Sequence, residues 1–153
     1  MRHEIERLGY TRRFVIYDQD DQLRVAKDVI KAQGRSRQVH AKALLGVLDR
    51  AKNRLTLPQN LPGEEVTPVA QKALRAYERR LREANAVDFN DIINLSLRIL
   101  REHPDVLERW RARWRYLLVD EYQDTNLAQY HLIRLLAGGR RNLAVVGDDD
   151  QSI

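Results

Sequence analysis

Two short apolar runs in the last quarter of the chain, each ending in acidic residues, restrict the possible folds most strongly. The first run, residues 117–119 (LLV), is followed by Asp120 and Glu121, and the second, residues 143–146 (LAVV), by Gly147 and three aspartates. Continuous apolar runs of this length are typical of buried parallel strands. The residues between them follow a helical pattern, so the segment predicts a strand–helix–strand unit. Because two strands do not make a stable sheet, we expect further strands outside this sequence.

The first three-quarters of the chain is dominated by helical periodicity. Asp18, Thr67 (followed by proline) and Asp88 each stand where a helix N-cap is expected, and His103-Pro104 breaks a fourth helix. Another helix is expected to follow Ser36. About five or six helices are therefore predicted before the two strands. The fold class is mainly α with a small α/β part.

Composition narrows the class of protein. The 153 residues are 43% hydrophobic and 32% charged, which indicates a globular chain. Since the sequence has no cysteine, disulfide frameworks, thiolate zinc sites and cysteine nucleophiles are excluded, and its histidines are too scattered to suggest a metal site. The apolar runs are too short to span a bilayer, and the charged start does not resemble a secretory signal. We therefore expect a cytoplasmic location.

The net charge of +5 leaves two interpretations open, a solubility charge with local ion pairs or a polyanionic partner. Arg75, Arg79 and Arg82 share one face of a predicted helix, which is either a DNA-facing surface or a solvated one. A second group of arginines alternates with two tryptophans, and these residues are Arg109, Trp110, Arg111, Arg113, Trp114 and Arg115. For the tryptophans, a buried pair on one helix face is favoured over stacking on DNA bases.

The acidic residues suggest nucleotide chemistry. Ligands of open parallel sheets bind beyond the carboxyl ends of the strands, where Asp120 and Glu121 lie. In such a site an aspartate holds magnesium through water and a glutamate orients or deprotonates the attacking water. Gln151 adds an amide suited to contacting a terminal phosphate. For an isolated Asp-Glu pair, a role as turn former or helix cap is the more common explanation.

Three longer motifs make the interpretation more specific. Residues 117–126 (LLVDEYQDTN) closely resemble the acidic motif of superfamily 1 DNA helicases of the UvrD, PcrA and Rep type. Residues 145–153 (VVGDDDQSI) resemble the next motif of that family, at the expected spacing, and residues 87–93 (VDFNDII) resemble a signature that precedes both. Residues 8–18, together with the helical stretch that contains residues 51–53, look like the family's helical insert.

The resemblance implies a motor that uses ATP and Mg²⁺ to move along single-stranded DNA and separate the duplex. It implies two RecA-like domains, each with a helical insert, of which this chain would hold the insert of the first (residues 1–87) and part of that RecA-like sheet (residues 88–153). The implied partners are single-stranded and duplex DNA and the remaining helicase domains. By the same resemblance, Asp120 coordinates magnesium, Glu121 activates water, and these two residues bind ATP together with Gln151.

One feature of the family is absent from the sequence. No Gly-x-x-x-x-Gly-Lys-Ser/Thr loop is present to hold the phosphates, so the isolated chain is expected to be inactive. Two other functions stay open. The first is a helical module that binds DNA or protein without chemistry. The second is a metal-dependent nuclease that uses Asp120, Glu121, Asp124 and Asp148 to Asp150.

Overall fold

The computed structural model describes residues 1–34, 39–56, 60, 66–140 and 142–148. In this part of the chain the α-helices are α1 (Gln19–Ala32), α2 (Ala41–Asn53), α3 (Pro68–Glu83), α4 (Phe89–Glu102), α5 (Pro104–Arg113) and α6 (Leu127–Ala137). The strands are β1 (Val15–Ile16), β2 (Ala86–Val87), β3 (Leu117–Val119) and β4 (Leu143–Val145). Short 3-10 helices cover Ile5–Leu8, Tyr122–Asp124 and Gly138–Arg140. The predicted mainly α fold with a small parallel-sheet part is confirmed.

Side-chain caps determine where four of the helices begin. The caps are Asp18 for α1, Thr67 for α3, Asp88 for α4 and Asn126 for α6. Each cap accepts a hydrogen bond from a backbone N–H group of the first turn, which would otherwise lack a partner inside the helix. The second helix begins at Ala41 without such a cap, and its predicted start after Ser36 lies outside the described residues.

Helices α1, α2 and α3 form a three-helix unit whose two ends are joined by a small parallel sheet. This sheet was not predicted from the sequence. β1 directly precedes α1 and β2 directly follows α3, and the two strands pair in parallel, with Val15 opposite Ala86 and Ile16 opposite Val87. Strands of two residues are too short to show an alternating pattern. Their pairing fixes where the chain enters and leaves the unit formed by α1, α2 and α3.

The buried residues form separate clusters. One lies among α1, α2 and α3 and includes Ile30, Leu44, Leu48, Leu74 and Tyr77. A second joins Leu8 to residues of α4 and α5, and a third joins Ile5 and Phe14 to Val87. Residues 1–14 therefore pack with the helices that follow residue 87. A domain boundary near residue 87 remains a prediction, and the packing favours placing this N-terminal segment with the second part.

β3 and β4 pair in parallel, as the strand–helix–strand pattern predicted, with α6 between them in the sequence. Their apolar side chains, however, are more exposed than predicted for buried strands. Leu118 is 72% exposed, and all three residues of β4 are exposed. The physical reason is that this sheet has two strands in the described part of the chain, so it buries little of its own surface.

None of the helices in the described ranges is long and apolar enough to cross a membrane.

Candidate active site

The carboxyl ends of β3 and β4 lie at one edge of the sheet. The register pairs Val119 with Val145, so Asp120 and Gly147 both follow closely on this edge. Two backbone hydrogen bonds continue the pairing beyond the strands. Val146 N–H donates to the Val119 carbonyl at 2.8 Å, and Tyr122 N–H donates to the Val146 carbonyl at 3.0 Å. The acidic pair is thus held between two strand ends.

Glu121 adopts an unusual backbone conformation at the sharp turn out of β3. Its φ of 53° and ψ of 42° lie in the left-handed region, which residues other than glycine rarely adopt. Asp120 Oδ1 accepts a hydrogen bond from Glu121 N–H at 2.9 Å, which stabilises this turn. Strained conformations of this kind persist only where the surrounding structure holds them, and they are common at functional sites. Both side chains are exposed and therefore accessible to a ligand.

Gln123 connects the two strand ends through its side chain. Its Nε2 donates to Glu121 Oε2 at 2.6 Å, and its Oε1 accepts from Asp148 N–H at 3.1 Å. Gly147 permits this approach, since a Cβ at that position would lie 2.8 Å from Gln123 Oε1. The amide therefore orients the Glu121 carboxylate and ties it to the loop after β4. Gln123 was not among the site residues predicted from the sequence.

The predicted site residues differ in how far their positions are described. Asp120, Glu121 and Asp148 lie at the same edge of the sheet. Asp124 is in the 3-10 turn that follows Glu121. Gln151, Asp149 and Asp150 lie outside the described residues. The carboxylates of Asp120, Glu121 and Asp148 are oxygen ligands of the kind that magnesium prefers. Phosphate oxygens of a nucleotide would complete the coordination shell of the ion.

The three arginines predicted to share a face of α3 have different surroundings. Arg75 and Arg79 are exposed and line a groove between α1 and α3, together with Lys72 and Arg80. The Arg82 guanidinium instead donates to the Leu8 carbonyl and lies 4.0 Å from the centre of the Tyr10 ring. Arg82 therefore attaches the N-terminal segment to α3. The α3 side of the groove is still basic, because Lys72, Arg75, Arg79 and Arg80 line it.

The arginines around the tryptophans are largely engaged inside the chain. Arg109 forms an ion pair with Glu4 at 2.7 Å, and Arg111 donates twice to the Leu135 carbonyl at the end of α6. The Trp110 and Trp114 rings are in contact, with centroids 4.5 Å apart. Trp114 is nevertheless 44% exposed, so the prediction of a buried pair is wrong for this residue. It follows the last residue of α5, where the helix no longer holds it against the core.

A buried ionic cluster is the largest feature that sequence reasoning missed. Lys52 Nζ lies 2.6 Å from Asp88 Oδ2, 2.7 Å from Asp91 Oδ1 and 2.9 Å from Glu78 Oε1. Lys52 is 6% exposed and Asp88 2%. The cluster joins the end of α2 to α3 and to the start of α4. The sequence did contain one signal for the burial of Lys52, because this residue falls four positions after the apolar Leu48 and therefore on the inner face of α2.

The charges in this cluster shift one another's proton affinity. Burial acts to lower the pKa of Lys52, but the neighbouring carboxylates outweigh it and hold that pKa above its ordinary value. Burial is also the main reason that the pKa of Asp91 rises to about 6, opposed by Lys52 and reinforced by Asp88 and Glu78. Among the described residues, Lys52 is the cation that forms ion pairs with all three carboxylates, and its charge is what allows them to pack together.

These elements define a class, a mainly helical protein that carries part of a RecA-like parallel sheet with acids at its carboxyl edge. A family model of the UvrD/REP helicase N-terminal domain matches residues 1–153, and the chain belongs to this family. It is similar to the ATP-dependent DNA helicase PcrA of Staphylococcus epidermidis, at 37% identity, and of Staphylococcus aureus, at 38%. Both matches cover 100% of this chain and 22% of the relative. The chain thus spans about a fifth of the length of these relatives.

Proposed function

We propose that the protein containing this chain is an ATP-dependent DNA helicase, which couples ATP hydrolysis to movement along single-stranded DNA and separation of the duplex. In this proposal Asp120 holds Mg²⁺, Glu121 activates the attacking water and Gln151 contacts the terminal phosphate. The observation that carries it is the acidic pair, Asp120 and Glu121, at the carboxyl edge of the β3–β4 sheet. Membership of the UvrD/REP family supports it.

The exposed apolar faces of β3 and β4 are consistent with a larger enzyme. Leu118, Val145 and Val146 are all about half exposed or more, although side chains of this type are normally buried in a parallel sheet. We propose that further strands of the RecA-like sheet and the phosphate-binding loop belong to the same protein and complete the nucleotide site. Glu121 polarises water usefully only when a terminal phosphate is held in line with it.

The test of this proposal is ATP hydrolysis by the complete protein, measured with Mg²⁺ in the presence and absence of single-stranded DNA. We expect hydrolysis that DNA stimulates, and strand separation that requires ATP. DNA cleavage with Mg²⁺ and no ATP would instead favour the nuclease. DNA binding with neither cleavage nor ATP hydrolysis would favour the binding module.

The 153-residue chain alone is expected to show no ATP hydrolysis above the rate of uncatalysed solution controls. Phosphoryl transfer depends on positioning and charge neutralisation, and the sequence has no glycine-rich loop with a lysine to hold the phosphates. Phosphate release measured with the purified chain and Mg²⁺-ATP checks this. Turnover that disappears on Glu121→Gln would contradict it, because the chain would then hold a different phosphate site.

For DNA, we propose that the groove wall of Arg75 and Arg79 contacts phosphates. Arg82 is left out of this proposal because its guanidinium already donates to the Leu8 carbonyl. Both proposed arginines are exposed on α3, and Lys72 and Arg80 line the same groove, as do the acidic Asp28 and Glu83. Arg79 makes a long ion pair with Glu83, at 3.8 Å between two exposed side chains, which leaves its guanidinium accessible. Guanidinium contacts with phosphate contribute affinity without base specificity, so binding is expected to weaken as salt rises.

The double variant Arg75→Ala/Arg79→Ala should weaken single-stranded DNA binding by the chain and flatten its dependence on salt. Each lost phosphate contact should reduce the slope of log affinity against log salt by about 0.7. Fluorescence titration of a labelled oligonucleotide at several salt concentrations measures this slope. The matched control is Arg98→Ala/Arg101→Ala, which removes the same charge from exposed positions on α4. Equal slopes for the two double variants would refute the proposed contacts.

A further inference from the structure

Three side chains form a hydrogen-bond relay from the end of α2 to the loop that carries the acidic pair. Asn53 Nδ2 donates to Asp49 Oδ2 at 3.2 Å, one helical turn earlier in α2. Asn53 Oδ1 accepts from Asn126 Nδ2 at 3.0 Å. Asn126 Oδ1 in turn accepts from Gln129 N–H at 2.9 Å, which caps α6. The relay therefore links the three-helix unit to the first turn of α6.

The order of donors and acceptors in this relay fixes the orientation of both amides. An ionised aspartate only accepts hydrogen bonds, so the NH₂ group of Asn53 must face Asp49. The carbonyl oxygen of Asn53 then faces Asn126, and only the NH₂ group of Asn126 satisfies it. This leaves Asn126 Oδ1 towards the backbone N–H groups of α6, which is the orientation that an N-cap requires.

The start of the relay is held firmly in place. Asp49 Oδ1 accepts from Asn90 Nδ2 of α4 at 2.7 Å, so both of its oxygens are used. The neighbouring Lys52 is fixed by its buried ion pairs, and its carbonyl accepts from Asn94 Nδ2 at 3.1 Å. The end of α2 is thus attached to α4 at several points. Asn53 extends from this base to Asn126, at the helix end of the loop that carries the acidic pair.

The loop between β3 and α6 is attached at both ends and, between them, through the Gln123 side chain, which bonds to Glu121 and to Asp148 N–H. At the strand end, Tyr122 N–H bonds to the Val146 carbonyl. At the helix end, Asn126 forms a reciprocal capping box with Gln129. Glu121 lies between these points in a left-handed conformation that the surroundings must maintain. A shift of Asn126 would therefore be transmitted to Glu121 through the four residues between them.

We propose that Asn53 is a positioning residue for catalysis. Through Asn126 it holds the acidic loop, and with it the Glu121 carboxylate, in register with the helices of the insert. This inference rests on the proposed ATP hydrolysis at Glu121 and adds a route by which the three-helix unit acts on that site. Asn53 touches no reacting atom, so its effect is on the rate of the chemical step rather than on nucleotide binding.

A charge-swap pair of variants in the complete protein tests the relay. Asn53→Asp places a second carboxylate against Asp49 and removes the donor between them, which pushes the side chain out of the relay. Asp49→Asn/Asn53→Asp restores the hydrogen bond between positions 49 and 53 with donor and acceptor exchanged, and it keeps an acceptor oxygen facing Asn126 and another facing Asn90. We expect the single variant to lower kcat for ATP hydrolysis about fivefold, the effect of losing one hydrogen bond, and the double variant to recover it. KM for ATP should stay within about twofold in both.

Hydrogen exchange separates a positioning role from a purely structural one. In the single variant the backbone amides of residues 127–129 should exchange faster, because the cap of α6 is loosened, and the double variant should restore their protection. Faster exchange with unchanged kcat would refute the positioning role, as would a double variant with restored protection and unrestored kcat. An unsubstituted protein without ATP hydrolysis would refute the proposed function, while the exchange data would still report separately on the relay.

Discussion

Replacement of Lys52 by methionine is expected to destabilise the chain by about 3–5 kcal/mol at neutral pH, the usual cost of removing one partner from a buried ion pair. The substitution keeps most of the length of the side chain and removes its charge. It leaves Asp88 and Asp91 buried without a cation, where Lys52 Nζ now lies within 2.7 Å of an oxygen of each. A loss of this size is a large part of the stability of a typical domain. Urea unfolding followed by circular dichroism measures it.

The matched control is Lys42→Met, which removes an exposed charge from the same helix and should change stability little. If both substitutions had the same small effect, the buried cluster would not stabilise the fold. Replacing the cluster in full by apolar residues is a different experiment, because it would also remove the buried carboxylates that Lys52 compensates.

The cost of Lys52→Met should depend on pH. The pKa of Asp91 is raised from 3.8 to about 6 in the folded chain, so its contribution to stability is present below the lower value and is lost as pH rises through the higher one. Without Lys52 the carboxylates should bind protons more tightly still. The loss of stability should therefore be larger at about pH 8 than at about pH 5. A loss that did not change between these conditions would contradict the charge assignment.

Local signals in the sequence were sufficient to predict most of the helices. Asp88 and Asn126 are caps that act on amides within three residues, and the proline after His103 ends α4 by its own covalent geometry. The strands β3 and β4 and their parallel pairing were predicted from two apolar runs of similar length, each ending in acids. These predictions rest on interactions between residues that are close in sequence, or on a pattern repeated at two places.

The parts that were missed depend on contacts across long stretches of chain. Lys52 meets Asp88 and Asp91 more than thirty residues later, and β1 pairs with β2 across the whole three-helix unit. Arg82 shares a helical face with Arg75 in the sequence pattern, yet its guanidinium reaches the carbonyl of Leu8, 74 residues earlier in the chain. Periodicity predicts the helix face from which a side chain projects. It does not predict which partner the end of a long, flexible side chain will contact.

Glu121→Gln in the complete protein is expected to lower ATP turnover by about 10²–10⁴-fold, the range that general-base catalysis contributes. The substitution keeps the shape of the side chain, and its amide retains an oxygen that can accept from Gln123 Nε2, which now lies 2.6 Å from Glu121 Oε2. Nucleotide binding should be preserved, because Asp120 and the phosphate-binding residues are unchanged. The loss therefore falls on the chemical step alone.

The most direct test of the proposed site measures ATP binding and single-turnover hydrolysis in the same preparation of the complete protein. The comparison is Glu121→Gln against Glu102→Gln, which makes the same chemical change at an exposed position on α4. The account predicts unchanged ATP affinity for both variants, with hydrolysis lost in Glu121→Gln and normal in Glu102→Gln. Hydrolysis at the normal rate in Glu121→Gln would show that the acidic edge of the β3–β4 sheet is not where water is activated.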